Sequence, residues 1–132
     1  MKITGVGIDL VKISRVETMT RRWEKRFLDR VFTPAEQAYS LRHKFPHIRL
    51  SARFAVKEAV LKALGIGLRM GIRWTEIETI NDPAGKPEVR LSGQTRRIAD
   101  RQNISYIFAT ITHDHDYSIA QVIVASEEGA PL

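Results

Sequence analysis

The sequence predicts an α+β fold in which an antiparallel sheet packs against one long central helix, and three observations predict it. The run Ser51–Leu64 is apolar, free of glycine and proline, and stopped by Gly65 and Gly67, which marks a long helix. Ile72–Ile80 and Glu88–Leu91 flank the turn-forming segment Asn81-Asp82-Pro83-Ala84-Gly85-Lys86-Pro87, a hairpin signal. Ile104–Ile111 and Tyr117–Ala125 repeat that pattern around Thr112–Asp116 as a closing antiparallel pair.

The remaining elements follow in chain order. Ile3–Val11 alternates loosely and is rich in β-branched residues and glycine, a first strand ending near Asp9. Ser14 followed by Glu17 has the form of a capping box, and Val16, Met19, Trp23 and Phe27 recur at helical spacing, predicting a first helix through Arg30. Thr33-Pro34-Ala35-Glu36 repeats the start signal, with N-cap threonine, proline at the first helical position and glutamate at the third, and opens a second helix towards Arg42. His43–Arg49 contains Pro46 and little periodicity and reads as a loop. Gly65–Gly71 reads as a flexible connector or as a segment able to fold over a ligand. Ser92–Arg101 is a short helix. One domain is expected over residues 1–126, with 127–132 as a disordered tail.

Composition narrows the chemistry. The 132 residues include no cysteine, which excludes disulfides, zinc-thiolate sites and a cysteine nucleophile and agrees with a cytoplasmic location. No window approaches membrane-spanning length, and the opening apolar stretch is broken by Gly5, Gly7 and Asp9. The formal charge is +6, yet Lys12 to Arg53 alone holds 11 Lys/Arg against 4 Asp/Glu, so a single region supplies the basicity. Such a patch attracts polyanions, phosphorylated small molecules or an acidic protein surface. Serine elbows, Rossmann glycine fingerprints and zinc spacings are missing. The aromatics sit at core-like spacing with no basic-aromatic stripe of the kind that stacks on single strands, which makes nucleic-acid binding the secondary reading.

Charged residues in apolar surroundings point to the chemistry. Glu58 and Lys62 lie one turn apart on the long helix and share a face bordered by Phe54, Ala55 and Leu61, whereas Arg53 and Lys57 point elsewhere. Asp9 interrupts the apolar opening strand. If Asp9 and Glu58 converge, two carboxylates with phosphate oxygens and water supply the ligands Mg²⁺ prefers, and Lys62 neutralises a phosphate; otherwise Glu58 and Lys62 form a surface pair and Asp9 a turn cap. His113 is either a structural histidine or a phosphate contact. His113 and His115 beside Asp114 and Asp116 have the ligand types of a transition-metal site, which is the minor reading of this loop. Gly85-Lys86-Pro87 lacks the Ser/Thr and the strand-to-helix context of a phosphate loop and reads as a turn.

Taken together these motifs resemble the holo-acyl-carrier-protein synthases, the small phosphopantetheinyl transferases, over nearly the whole chain. The resemblance rests on Gly5-Val6-Gly7-Ile8-Asp9-Leu10 with Arg15, Phe32-Thr33 with Glu36, Arg53-Phe54-Ala55-Val56-Lys57-Glu58-Ala59 with Lys62-Ala63-Leu64-Gly65, Gly85-Lys86-Pro87, and Thr112-His113-Asp114. It implies transfer of the phosphopantetheine arm of coenzyme A to a serine of an acyl carrier protein, releasing adenosine 3′,5′-bisphosphate and feeding fatty acid biosynthesis. It also implies that Asp9 and Glu58 ligate Mg²⁺ and that Lys62 holds the pyrophosphate. Arg53, Lys86 and His113 contact the nucleotide and its 3′-phosphate, with Gly65 and Gly85 to Pro87 lining the pocket. The serine proton goes to Glu58 or to a water on the metal, and the sequence leaves both open. Arg15, Arg22, Lys25 and Arg26 would pair with an acidic carrier protein, with Met19 and Phe27 as apolar anchors. The resemblance further implies a homotrimer with active sites at subunit contacts, and neither nucleic acid nor membrane as partner.

Overall fold

Two glycines set how closely the first strand approaches the long helix. A computed structural model describes residues 1–127. Strand β1 (Lys2–Lys12) lies across helix α4 (Pro46–Leu64), and a Cβ built at Gly7 would stand 1.9 Å from the Ala59 carbonyl oxygen. One built at Gly5 would stand 2.0 Å from that of Ala63. The repeats match: two strand residues advance about 6.6 Å, and four helix residues advance about 6 Å. Gly5, Gly7 and Asp9 share the inward face of β1, so the register that seats the glycines carries Asp9 one turn further towards the start of α4.

After β1 the chain forms α1 (Ile13–Trp23), α2 (Lys25–Val31) and α3 (Pro34–Leu41), then α4. Single 3₁₀ turns at Leu68–Met70 and Trp74–Glu76 lead to β2 (Ile77–Asn81) and β3 (Pro87–Leu91). Helix α5 (Gly93–Arg101) and strands β4 (Tyr106–His113) and β5 (Tyr117–Ser126) complete the fold. The main sheet has the antiparallel order β1-β5-β4, and β2-β3 is a separate hairpin. The core lies between this sheet and α4, where Leu50, Ala55, Val56, Ala59 and Val60 meet Val11, Ala120, Val122 and Val124. This is the α+β architecture with a long central helix that the sequence predicts.

Several boundaries differ from expectation for identifiable reasons. The expected first helix breaks at Glu24, whose φ of 50° lies in the left-handed region, giving α1 and α2. Ser14 does not cap: α1 starts at Ile13 after Lys12, with no side-chain cap bond. The Thr33–Glu36 capping box forms as expected. Pro46 opens α4 at its first position, so the expected loop to Arg49 ends at Phe45; proline is as suited to a first turn here as at Pro34. The stretch before Ile77 contains a 3₁₀ turn rather than strand, and β4 extends to His113. In the expected tail, Glu127 accepts a hydrogen bond from the Tyr106 hydroxyl at 2.6 Å; residues 128–132 lie outside the described residues.

Because neither glycine site has room for a methyl against backbone, Gly7→Ala should destabilise the protein by about 3 kcal/mol or more. Chemical denaturation checks this, with Gly67→Ala, where a Cβ meets nothing within 4 Å, as the tolerant control.

Candidate functional site

The β1–α4 contact assembles the first group of candidate residues. Lys62 leans back along α4, as helical side chains do, and donates to Asp9 Oδ1 and to the Ile8 carbonyl, both at 3.0 Å. Glu58, one turn earlier, is half-buried, and burial together with the charge of Asp9 raises its proton affinity, opposed by Lys62 and Arg15. Asp9, Lys62 and Arg15 thus all act electrostatically on Glu58; Arg15, expected on the carrier-docking face, is the unexpected member. Among the described residues no group of three or more His, Asp, Glu or Cys is placed to hold a metal. As oxygen donors, Asp9 and Glu58 are of the chemistry a hard divalent ion takes, its remaining ligands to be supplied by phosphate and water.

The Glu58–Lys62 pair is not the buried one. Lys62 has 53% of its side chain exposed, whereas Lys57 and Glu36 are fully buried as an ion pair at 2.7 Å. Arg53 is buried too, its guanidinium 4.0 Å from the centre of the Tyr39 ring and its Nη2 donating to Asn81 Oδ1. Arg53 and Lys57 point away from Glu58, as the helix period predicts, and α3 and β2 pack over that side of α4 and enclose them.

A second group gathers on that side. Arg53, Gly85, Pro87 and His113 line one cleft of about 400 Å³ together with Tyr39, Arg49, Asn81 and Thr112. The lining does not include Asp9, Glu58 or Lys62, and Arg53 and Glu58 stand about 140° apart around the helix. The turn is held by Asn81 Nδ2 donating to the Gly85 carbonyl at 2.9 Å and by Lys86 N donating to Asp82 Oδ1 at 2.8 Å, with Gly85 at φ 90°. Lys86 is exposed beside the cleft, and Gly65 caps α4 at φ 67°. Tyr39, Arg49 and Asn81 were not among the expected contacts. Only their approach across three elements singles them out.

The basic surface lies on α1 and α2. Arg15, Arg22, Lys25 and Arg26 are exposed, and Met19 and Phe27 are half-buried. Met19, Trp23, Arg26, Phe27 and Arg30 line a cleft of about 460 Å³. Lys25 is paired with Asp29 at 2.8 Å and Arg22 lies over the Trp23 ring. Among the described residues no helix is long and apolar enough to cross a membrane.

Known proteins carry the same pattern. The model of the 4′-phosphopantetheinyl transferase superfamily matches residues 5–122. The chain belongs to that superfamily. It is 41% identical to the holo-[acyl-carrier-protein] synthase of Syntrophus aciditrophicus over 92% of this chain and 95% of that protein. With the corresponding synthase of Trichlorobacter lovleyi the identity is 44% over 92% and 97%. Among solved structures, the holo-[acyl-carrier-protein] synthase of Neisseria meningitidis superposes with a TM-score of 0.86 at 29% identity, covering 94% of this chain and 99% of that one. The Helicobacter pylori synthase, solved in complex with coenzyme A, gives 0.80 at 32% identity over 91% and 99%.

The raised proton affinity of Glu58 has a signed consequence. Folding favours its protonated form, so its contribution to stability is complete below the ordinary glutamate value of 4.5 and is lost as the pH rises through the raised folded value. Metal-free Glu58→Gln should therefore melt higher than wild type at neutral pH, with the difference shrinking below pH 4.5. Thermal scans across pH check this.

Proposed function

We propose that this phosphopantetheinyl transferase moves the 4′-phosphopantetheine arm of coenzyme A to a serine of an apo-acyl carrier protein and releases adenosine 3′,5′-bisphosphate. The observation that carries this is the cluster of Asp9, Glu58, Lys62 and Arg15 across β1, α4 and α1. Its likeness to synthases whose structures hold coenzyme A supports the substrate.

Asp9 and Glu58 hold Mg²⁺ in this reading. Bound there, the ion would supply positive charge to the diphosphate of coenzyme A and favour departure of the nucleotide. Lys62 adds its charge to the same diphosphate. Phosphoryl transfer asks the protein mainly for alignment and charge neutralisation, so no covalent enzyme nucleophile is required. The carrier serine attacks the β-phosphorus, the bond from that phosphorus to the bridging oxygen breaks, and the serine proton passes to a base. Glu58 is the candidate group of this chain to take it. Arg53, Lys86 and His113 bind the nucleotide and its 3′-phosphate in the cleft that Gly85 and Pro87 line.

The two groups of residues face different sides of one protomer, which supports a homotrimer whose sites form between neighbours. The outer face of the main sheet supports it as well. Val6, Ile8 and Leu10 on β1 and Phe108 on β4 are exposed there, 56%, 59%, 57% and 42%, beside Ile119 and Ile123 of β5. A sheet face with this many exposed apolar side chains, interrupted only by Gln121, Thr110 and Thr112 among the described residues, marks an interface. Each neighbour would lend its nucleotide cleft to the other's carboxylates. The basic face of α1 and α2 steers an acidic carrier protein, and the enzyme serves cytoplasmic fatty acid biosynthesis.

Incubation with coenzyme A, Mg²⁺ and apo carrier protein should add the phosphopantetheine mass to the carrier, read by mass spectrometry; no gain with any carrier tested would refute the activity. Glu58→Gln should lower turnover by at least about 100-fold. Arg15→Glu should raise the KM for carrier more than that for coenzyme A, and more at low salt than at high, in steady-state assays. Mixing unfolded Glu58→Gln and Arg53→Ala chains and refolding them together should recover up to about a quarter of wild-type activity, as shared sites in a ring require. Recovery of none would assign both groups to a single protomer.

A further inference from the structure

Neither Glu36 nor Lys57 lines the nucleotide cleft, yet the fully buried pair connects the elements that carry it. Lys57 Nζ donates to Glu36 Oε1 at 2.7 Å, to the Trp74 carbonyl at 3.1 Å and to the Ile77 carbonyl, which uses all three of its hydrogens. Glu36 in turn accepts from the backbone of Thr33 at 3.0 Å and from that of Thr79 at 3.1 Å. One carboxylate and one ammonium thus join α3, α4 and β2. The β2-β3 hairpin has no ladder to the main sheet. Burial of Ile77 presses it onto the core, but that force is non-directional. The Glu36–Lys57 pair supplies direction.

A second rung lies beside the first. Arg53 precedes Lys57 by one turn of α4, and Asn81 follows Thr79 by two residues on the same face of β2, where it accepts from Arg53 and donates to Gly85. The inner rung is dry and fully partnered; the outer rung lines the cleft. We infer that Glu36 and Lys57 are positioning residues, which set the spacing between Arg53 and the Asn81–Pro87 turn and thereby the affinity for the nucleotide end of coenzyme A. This inference rests on the proposed function.

The test replaces both charges at once, because removing one alone strands the other in the core, whereas replacing a whole buried pair is often tolerated. Glu36→Gln/Lys57→Met should fold, bind carrier protein as wild type does, and keep its kcat at saturating coenzyme A within about twofold, while the KM for coenzyme A and the Kd for adenosine 3′,5′-bisphosphate rise about tenfold. A purely structural role would instead lower the active fraction with KM unchanged, and that result overturns the inference. Should the double variant not fold, Glu36→Asp, which keeps the charge pair but shortens its reach, carries the same test with the same expected split. Wild-type protein that binds no coenzyme A would sink the proposed function rather than this assignment.

Discussion

Contact between the backbone of β1 and the backbone of α4, with no side chain between them, is the constraint from which the rest of the site follows. Gly5 and Gly7 rest against the carbonyls of Ala63 and Ala59, and the nearly equal advance of two strand residues and four helix residues lets the match repeat. Asp9, next on the same strand face, then meets Lys62 and the field of Glu58. Any wider separation would move the two carboxylates apart. The glycines are therefore as much a part of the site as the residues that bear charge, although they touch no ligand.

Charge in this protein is divided by depth. Lys57 and Glu36 are dry and fully partnered, and they serve the geometry of the hairpin. Asp9, Glu58 and Lys62 keep contact with solvent. Arg53 stands between the two conditions: burial lowers its proton affinity against the pull of Tyr39 and Glu36, and Asn81 orients it towards the cleft. Arg22, Lys25 and Arg26 on α1 and α2 lie at the surface.

Much of this was legible in the chain. The architecture, the Thr33–Glu36 cap and both hairpins could be read from turn residues and helix signals. Helix starts were less so, because a proline opens a helix as readily as it ends one, and Pro46 did the former. The break at Glu24 carries no local signal, since a glutamate with positive φ is held there by its surroundings.

By itself the sequence determined which residues can do chemistry: one turn of α4 carries Glu58 and Lys62, and strand alternation puts Gly5, Gly7 and Asp9 on a common face. Those relations are local and follow from the period of each element. Which charges are buried, and that Tyr39, Arg49 and Asn81 join Arg53 and His113, was decided only by the tertiary structure. A helix wheel gives the direction of a side chain but not what packs against it. Helix α3 just before α4 and the β2-β3 hairpin after it fold back onto α4, and their packing makes Lys57 the centre of a buried network.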